Sequence, residues 1–205
     1  MINPEEIGRD PERFSKRVVL RSGEEVCFRP LAAEDAVILG DYFLSLGEST
    51  RSLYSPHPFD RATAEELCAN ITPAEVLRFL GISRRTGREQ VIAYFIIFFG
   101  VRQGERDRYA RLNLRLDPKT DCSLAPSVAD DYQNRGVGSL LLAYLLELLR
   151  ETGRRRVILS GGTQAVNLRA VHFYEKSGFR KVGEFKVHRD ETELNNYDMI
   201  LDFGF

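Results

Sequence analysis

The chain has 205 residues, of which 43% are hydrophobic and 29% charged, the balance of one folded domain rather than a disordered segment. Its 29 Lys and Arg offset 30 Asp and Glu to a formal net charge of -1, which excludes the whole-domain positive field of a nucleic-acid binder. Cys27, Cys68 and Cys122 are odd in number and far apart, so they fit neither a disulfide framework nor a paired zinc site; a reducing, cytoplasmic setting without a metal is expected.

Residues 1–17 are polar, carry no period and lack the apolar core of a signal, so they are expected to be a tail or loosely docked arm. The domain itself is expected over 18–205. Val18–Leu20 and Val26–Arg29 flank a Gly23 turn and read as a hairpin closed by Pro30. Apolar residues at Ala36, Val37, Leu39, Tyr42, Phe43 and Leu46 have helical spacing, and Gly47 ends that helix. The segment 48–60, with Pro56 and Pro58, reads as a surface loop, followed by a short helix near 63–70.

Val76–Ile82 and Gln90–Phe99 read as an antiparallel hairpin turning at Gly87. The run VIAYFIIFF is nine residues long, whereas a membrane span needs roughly 20, so it predicts a buried strand and no membrane partner. Leu112, Leu114 and Leu116 alternate with polar residues and predict a half-exposed strand over 111–116.

The last third alternates strand and helix. Strands are predicted at 122–128, 157–160, 179–185 and 197–203, and helices at 140–149 and 167–177. Pro126 lacks an N–H and so demands an edge or bulge position. The pattern predicts an α/β domain with a mixed sheet and a parallel crossover at its centre.

Two segments carry chemistry. ADDYQNRGVGS, residues 129–139, joins a strand to a helix through Gly136 and Gly138. Such a turn aims backbone N–H groups and the positive helix end at one point, where an anion is favoured. It lacks the Lys-Ser/Thr pair of a P-loop and the third glycine of a dinucleotide fold. A plain strand-to-helix turn is the competing reading. In the second segment, NLRAVHFYEKSGF, Asn167 suits a helix N-cap and Gly178 a left-handed C-terminal stop.

With these two motifs in this order the chain resembles the GNAT superfamily of acyl-CoA-dependent N-acetyltransferases. Gln133–Gly138 resembles its pyrophosphate loop, and Asn167, Ala170, Phe173, Tyr174, Gly178 and Phe179 resemble its second signature. The resemblance covers 122–185 in residue detail and the rest in element order. It implies a central mixed sheet splayed between two parallel strands, flanked by helices, with acetyl-CoA in the opening as cosubstrate. It further implies that backbone groups around Ala125–Val128, with Ser127, Val128 and Ala129 as contacts, bond the pantetheine. Gln133, Asn134, Arg135, Gly136, Val137, Gly138 and Ser139 would hold the pyrophosphate, Asn167 would border the pantetheine, and Tyr174 would lie near the sulfur as the catalytic acid. The implied reaction is direct attack by a primary amine, of a small molecule or a protein; a homodimer stays open.

The resemblance also implies a strand Glu as base, but DCSLAPSV has Ser123 in that place and Asp121 two residues earlier. That departure keeps an acyl-CoA-binding regulatory module without catalysis as the alternative. Tyr54, His57 and Phe59 are expected to border the acceptor. Cys122 reads as a small buried hydrophobe rather than a nucleophile, and Arg154–Arg156 as a solvated turn.

Overall fold

The computed structural model describes residues 1–53, 56–85, 87–189 and 192–204. The N-terminal segment is docked, not a tail. Helix α1, Pro4–Arg9, is opened by Asn3, whose side chain accepts from Glu5 N–H, and buries Ile7. Phe14 is buried too, and Tyr144 donates to its carbonyl at 2.8 Å. Two apolar anchors among charged residues were too few to show a period.

Strands β1 (Lys16–Val19) and β2 (Glu25–Pro30) form the expected hairpin. Helix α2, Ala36–Ser45, follows a single tight turn at Ala33–Asp35. The next segment departs from expectation: Glu48–Leu53 is a helix, α3. None of its residues is buried, so it left no apolar signature. Arg51 pins it instead, donating to the carbonyls of Leu46 (2.7 Å), Phe59 (3.2 Å) and Phe43. Helix α4 (Arg61–Ala69), capped by Asp60, leads into β3 (Val76–Ser83) and β4 (Gln90–Phe99), an antiparallel pair.

The strand expected at 111–116 is absent. Helix α5 occupies Gln103–Arg111, and Asn113 at φ 60 turns the chain behind it. The leucine alternation has another cause: a Cβ on Gly183 would lie 2.5 Å from Leu112, so Leu112 packs where glycine leaves room. The chain continues as β5 (Asp121–Val128), α6 (Val137–Glu151), β6 (Arg156–Leu159), the short β7 (Thr163–Gln164), α7 (Leu168–Lys176), β8 (Arg180–Arg189) and β9 (Thr192–Asp202). In α6, Leu141, Leu142, Leu145, Leu148 and Leu149 make the buried stripe, each worth about 1.5–3 kcal/mol when fully removed from water.

The described strands form one sheet in the order β1-β2-β3-β4-β5-β6-β9-β7, with β8 also paired to β9. Every described pairing is antiparallel except β5 with β6. This is the mixed α/β sheet expected. Helix α6 covers one face, its Tyr144 ring against Phe28 and Phe79. The other face carries α2, whose Tyr42 hydroxyl lies 2.7 Å from Ser127 Oγ, and α5, whose Tyr109 clusters with Ile158 and Ile200. Among the described residues no helix is long and apolar enough to cross a membrane.

Candidate functional site

The parallel pair opens. β5 and β6 are in register from Asp121 opposite Arg156 to Leu124 opposite Leu159. One further bond, Ser160 N–H to Leu124 O at 3.0 Å, closes the joined part. Gly161 and Gly162 then turn away with φ of 71 and 75, a region that only glycine enters cheaply. β5 continues alone to Val128 on that side. Ala129 N–H bonds Ile92 O on β4 at 2.8 Å, so alternation turns the Pro126 nitrogen and the Val128 N–H toward the opening. Pro126 therefore sits in a central strand at no hydrogen-bond cost, because its missing donor faces the gap.

At the mouth of the gap lies the glycine loop. Gly136, at φ 82, is the N-cap of α6 and brings no side-chain cap. The N–H groups of Val137, Gly138 and Ser139 are thus presented outward, as an anion site requires. Asn134 is also left-handed, at φ 60. Gln133 braces the loop from within: its Nε2 donates to Val128 O (3.0 Å), Asp130 Oδ1 (3.1 Å) and Thr50 Oγ1 (3.2 Å). Asp130 in turn accepts from Gly47 N–H at 2.8 Å and from the Thr50 hydroxyl, which ties α3 to the loop. Arg135 lies over the Tyr132 ring at 5.6 Å.

Helix α7 forms the opposite wall. Asn167 Oδ1 accepts from Ala170 N–H at 3.1 Å, the expected cap. Gly178, at φ 93, stops the helix, and Phe179 folds back so that its ring is 5.5 Å from Tyr174. Tyr174 is buried, and burial pushes its phenol up from the usual range. Its hydroxyl has no hydrogen-bond partner among the described residues, although its ring lines the gap.

Together these walls enclose a cleft of about 1300 Å³. Drug-sized pockets run to about 300–1,000 Å³, so this one suits a longer ligand. Ser127, Val128, Gln133, Asn134, Arg135, Gly136, Gly138, Ser139, Asn167 and Tyr174 all line it. Ala129 and Val137 do not; their side chains are buried in the core.

The acceptor-side residues fare differently. Tyr54 lies outside the described residues. His57 and Phe59 belong to an aromatic cluster with Phe43 and Tyr94, and neither lines the cleft. Leu53 and Pro56 from the same segment do, as do Val187, His188, Leu194 and Asn196 of the β8–β9 hairpin. Nothing in the local sequence distinguishes the lining residues from the packed ones.

Asp121 and Ser123 do not line the cleft either. Asp121 sits at the joined end of β5, 3.8 Å from Arg156 and accepting from Asp117 N–H. Cys122 is 0% exposed and burial pushes its thiol up to about 12, so it supplies no thiolate. Arg154 and Arg156 donate to the carbonyls of Lys119 and Arg115, at the strand end away from the opening.

Comparison with known proteins agrees with this geometry. A profile of the Acetyltransferase (GNAT) family matches residues 109–179, which contain both walls of the cleft. The GNAT domain of S. lividans PAT is 19% identical and superposes with a TM-score of 0.68 over 94% of this chain and 99% of that one. A GNAT-family acetyltransferase from Streptococcus pneumoniae is 21% identical, TM-score 0.65, over 87% and 99%. Arabidopsis thaliana NAA60, solved in complex with acetyl-CoA, is 15% identical, TM-score 0.63, over 87% and 98%. No curated protein matches by sequence. The splayed sheet, the outward-facing glycine loop and the matched segment converge: residues 109–179 are similar to the Acetyltransferase (GNAT) family, and the chain as a whole has the fold of solved GNAT acetyltransferases.

Proposed function

We propose that the chain transfers an acetyl group from acetyl-CoA to a primary amine by direct attack within a ternary complex. The observation that carries this is the continuity of the cleft, from the N–H cluster at Val137–Ser139 along the open side of β5 to Tyr174. The pyrophosphate sits on the loop and the pantetheine runs beside Pro126 and Val128. The thioester lies further along the open side of β5, toward the Gly161 turn where the two strands rejoin. A neutral amine attacks the carbonyl, the C–S bond breaks, and the Tyr174 hydroxyl hydrogen-bonds or protonates the departing thiolate.

The walls also bear on the acceptor. Arg21, Arg102, Arg135, Arg169 and Lys176 line the cleft, and no carboxylate does among the described residues. The cations near the loop suit the coenzyme phosphates. The same field repels an acceptor with several positive charges, since like charges brought together in a partly desolvated site cost energy. A monoamine or an amine that also bears a carboxylate is favoured over a polyamine. The acceptor enters between Pro56 and the β8–β9 hairpin.

The test is thiol release from acetyl-CoA against a panel of amino acids, free-N-terminal tripeptides, an amino sugar and spermidine. Turnover with one of the first three classes and none with spermidine is expected. Tight acetyl-CoA binding with no turnover of any amine would instead favour a regulatory acyl-CoA sensor.

A further inference from the structure

Four carboxylates are buried among the described residues, and one differs from the rest. Asp35 pairs with Arg29 at 2.6 Å, Asp198 with Arg108 at 2.9 Å, and Asp121 with Arg156 at 3.8 Å. Glu105, on α5, is 3% exposed and has no cationic partner among the described residues. It is held by backbone donors alone, Arg102 N–H at 2.9 Å and Gly161 N–H at 3.2 Å. An isolated buried carboxylate is costly to keep, and structural ones are normally paired.

Its location gives that cost a use. Gly161 is the residue at which β6 peels from β5, and both it and Arg102 line the cleft. A Cβ on Gly161 would meet nothing within 4 Å, so only open cleft lies beyond it. Glu105 thus stands at the narrow end, behind the turn beside the thioester's place. Ser123 faces the same side. It is opposite Phe98 and Ile158 in register; the Arg102 guanidinium lies 5.2 Å above the Phe98 ring, and Ile158 clusters with Tyr109 of α5. Ser123 Oγ is buried without a partner among the described residues. The serine therefore leaves an orphaned hydroxyl on the strand, under the helix that brings the carboxylate.

We infer that Glu105, supplied by α5 rather than by the strand, is the proton acceptor for the incoming amine, reached through one water beside Ser123. This rests on the acyl-transfer reading above. The ammonium proton passes through the water to the Glu105 carboxylate, which later returns it to solvent. The freed lone pair forms the C–N bond, the C–S bond breaks, and the nitrogen's second proton ends on the coenzyme thiol. The charged and titratable groups around Glu105 are Arg102 on its own turn, the Arg108–Asp198 pair, Tyr109, Arg180 from β8 and, across the cleft, His188.

The experiment uses the full chain, acetyl-CoA, the best amine from the panel and hydroxylamine, which is neutral at pH 7 and needs no base to shed a proton first. In Glu105→Gln, kcat/KM for the amine should fall roughly 100- to 10,000-fold at pH 7. The deficit should shrink as pH rises and be much smaller for hydroxylamine, with acetyl-CoA KM and Tm close to wild type. Equal losses for both nucleophiles at every pH, with a raised acetyl-CoA KM, would reduce Glu105 to a clamp on Gly161 and overturn the assignment. An acid limb that survives Glu105→Gln but disappears in His188→Asn would hand the role to His188. Should the Gln variant fail to fold, Glu105→Asp is judged by the same ratio of amine to hydroxylamine losses. Wild-type protein that acetylates nothing in the panel would refute the acyl-transfer reading itself, and with it this role.

Discussion

The two halves of the cleft are built in opposite ways. The proposed cofactor half comes from one stretch, β5 through α7, shaped by the left-handed Asn134 and Gly136 and by the Asn167 cap. The proposed acceptor half draws on α3, the turn before α5 and the β8–β9 hairpin, three segments far apart in the chain, which meet the first stretch at the Gly161 corner. A pyrophosphate is always the same shape, so its receptor is a fixed local motif. An acceptor site has no such constraint, and its residues are chosen by tertiary proximity alone.

The contrast is tested most severely at Tyr174, where the cofactor half meets the chemistry. Tyr174→Phe keeps the ring against Phe173 and Phe179, at 5.0 and 5.5 Å, and removes only the hydroxyl. Because that hydroxyl has no partner among the described residues, its loss should leave Tm unchanged. A positioned acid is worth roughly 100- to 10,000-fold in kcat. A drop of that size with unchanged acetyl-CoA affinity is expected. Wild-type kcat in a stable variant would make Tyr174 a wall and nothing more.

A smaller effect is expected at the loop. The Cβ of a residue at 138 would lie 3.4 Å from Phe173 and 3.5 Å from Val128, ordinary contacts, so Gly138→Ala should fold and bind. Gly138→Val adds branches that wedge α7 from β5 and crowd the N–H groups aimed at the phosphates. Losing hydrogen bonds to a charged group costs about 1.5–3 kcal/mol, or roughly 10- to 100-fold in acetyl-CoA affinity by calorimetry. Equal binding by the Ala and Val variants would detach the pyrophosphate from this loop.

What the sequence disclosed follows the same division. Gly136 and Gly178 adopt left-handed backbone and Asn167 caps a helix, so each residue type reports its own conformation. Helix α6 was legible through its leucine stripe. Helix α5, GERDRYAR after its first glutamine, buries only Glu105 and Tyr109, so no apolar period announced it. The leucines after it then passed for a strand, though Asn113 at φ 60 breaks any such strand. Helix α3 buries nothing and is held by Arg51 and Asp130. Glu105 was hidden for the same reason: it becomes notable only once its three buried counterparts are seen to be paired.

The smallest effect concerns His57, which the resemblance and its flanking prolines set beside the acceptor and which the fold packs, half-buried, into an aromatic cluster that does not line the cleft. Its ring is 5.1 Å from Phe43, 5.5 Å from Phe59 and 5.7 Å from Tyr94. Nδ1 lies 2.7 Å from the Pro58 carbonyl, which can only accept, so Nδ1 carries the proton and Nε2, 3.2 Å from the Tyr94 hydroxyl, accepts. That is the neutral tautomer. Burial is the main cause holding its pKa below the usual histidine range, with the Pro58 bond opposing it and Arg78 assisting. The unfolded chain therefore binds the proton at a higher pH than the native one does. Stability from this group is complete above about pH 6.5, the unfolded value, and is lost as pH falls through the native value. His57→Phe keeps the packing and removes the titration. The variant's Tm should fall less steeply than wild type's on acidification from pH 7 to 5, while acceptor KM stays unchanged at pH 7. Parallel Tm curves with a raised acceptor KM would return His57 to the acceptor site and erase the distinction between the halves at this residue.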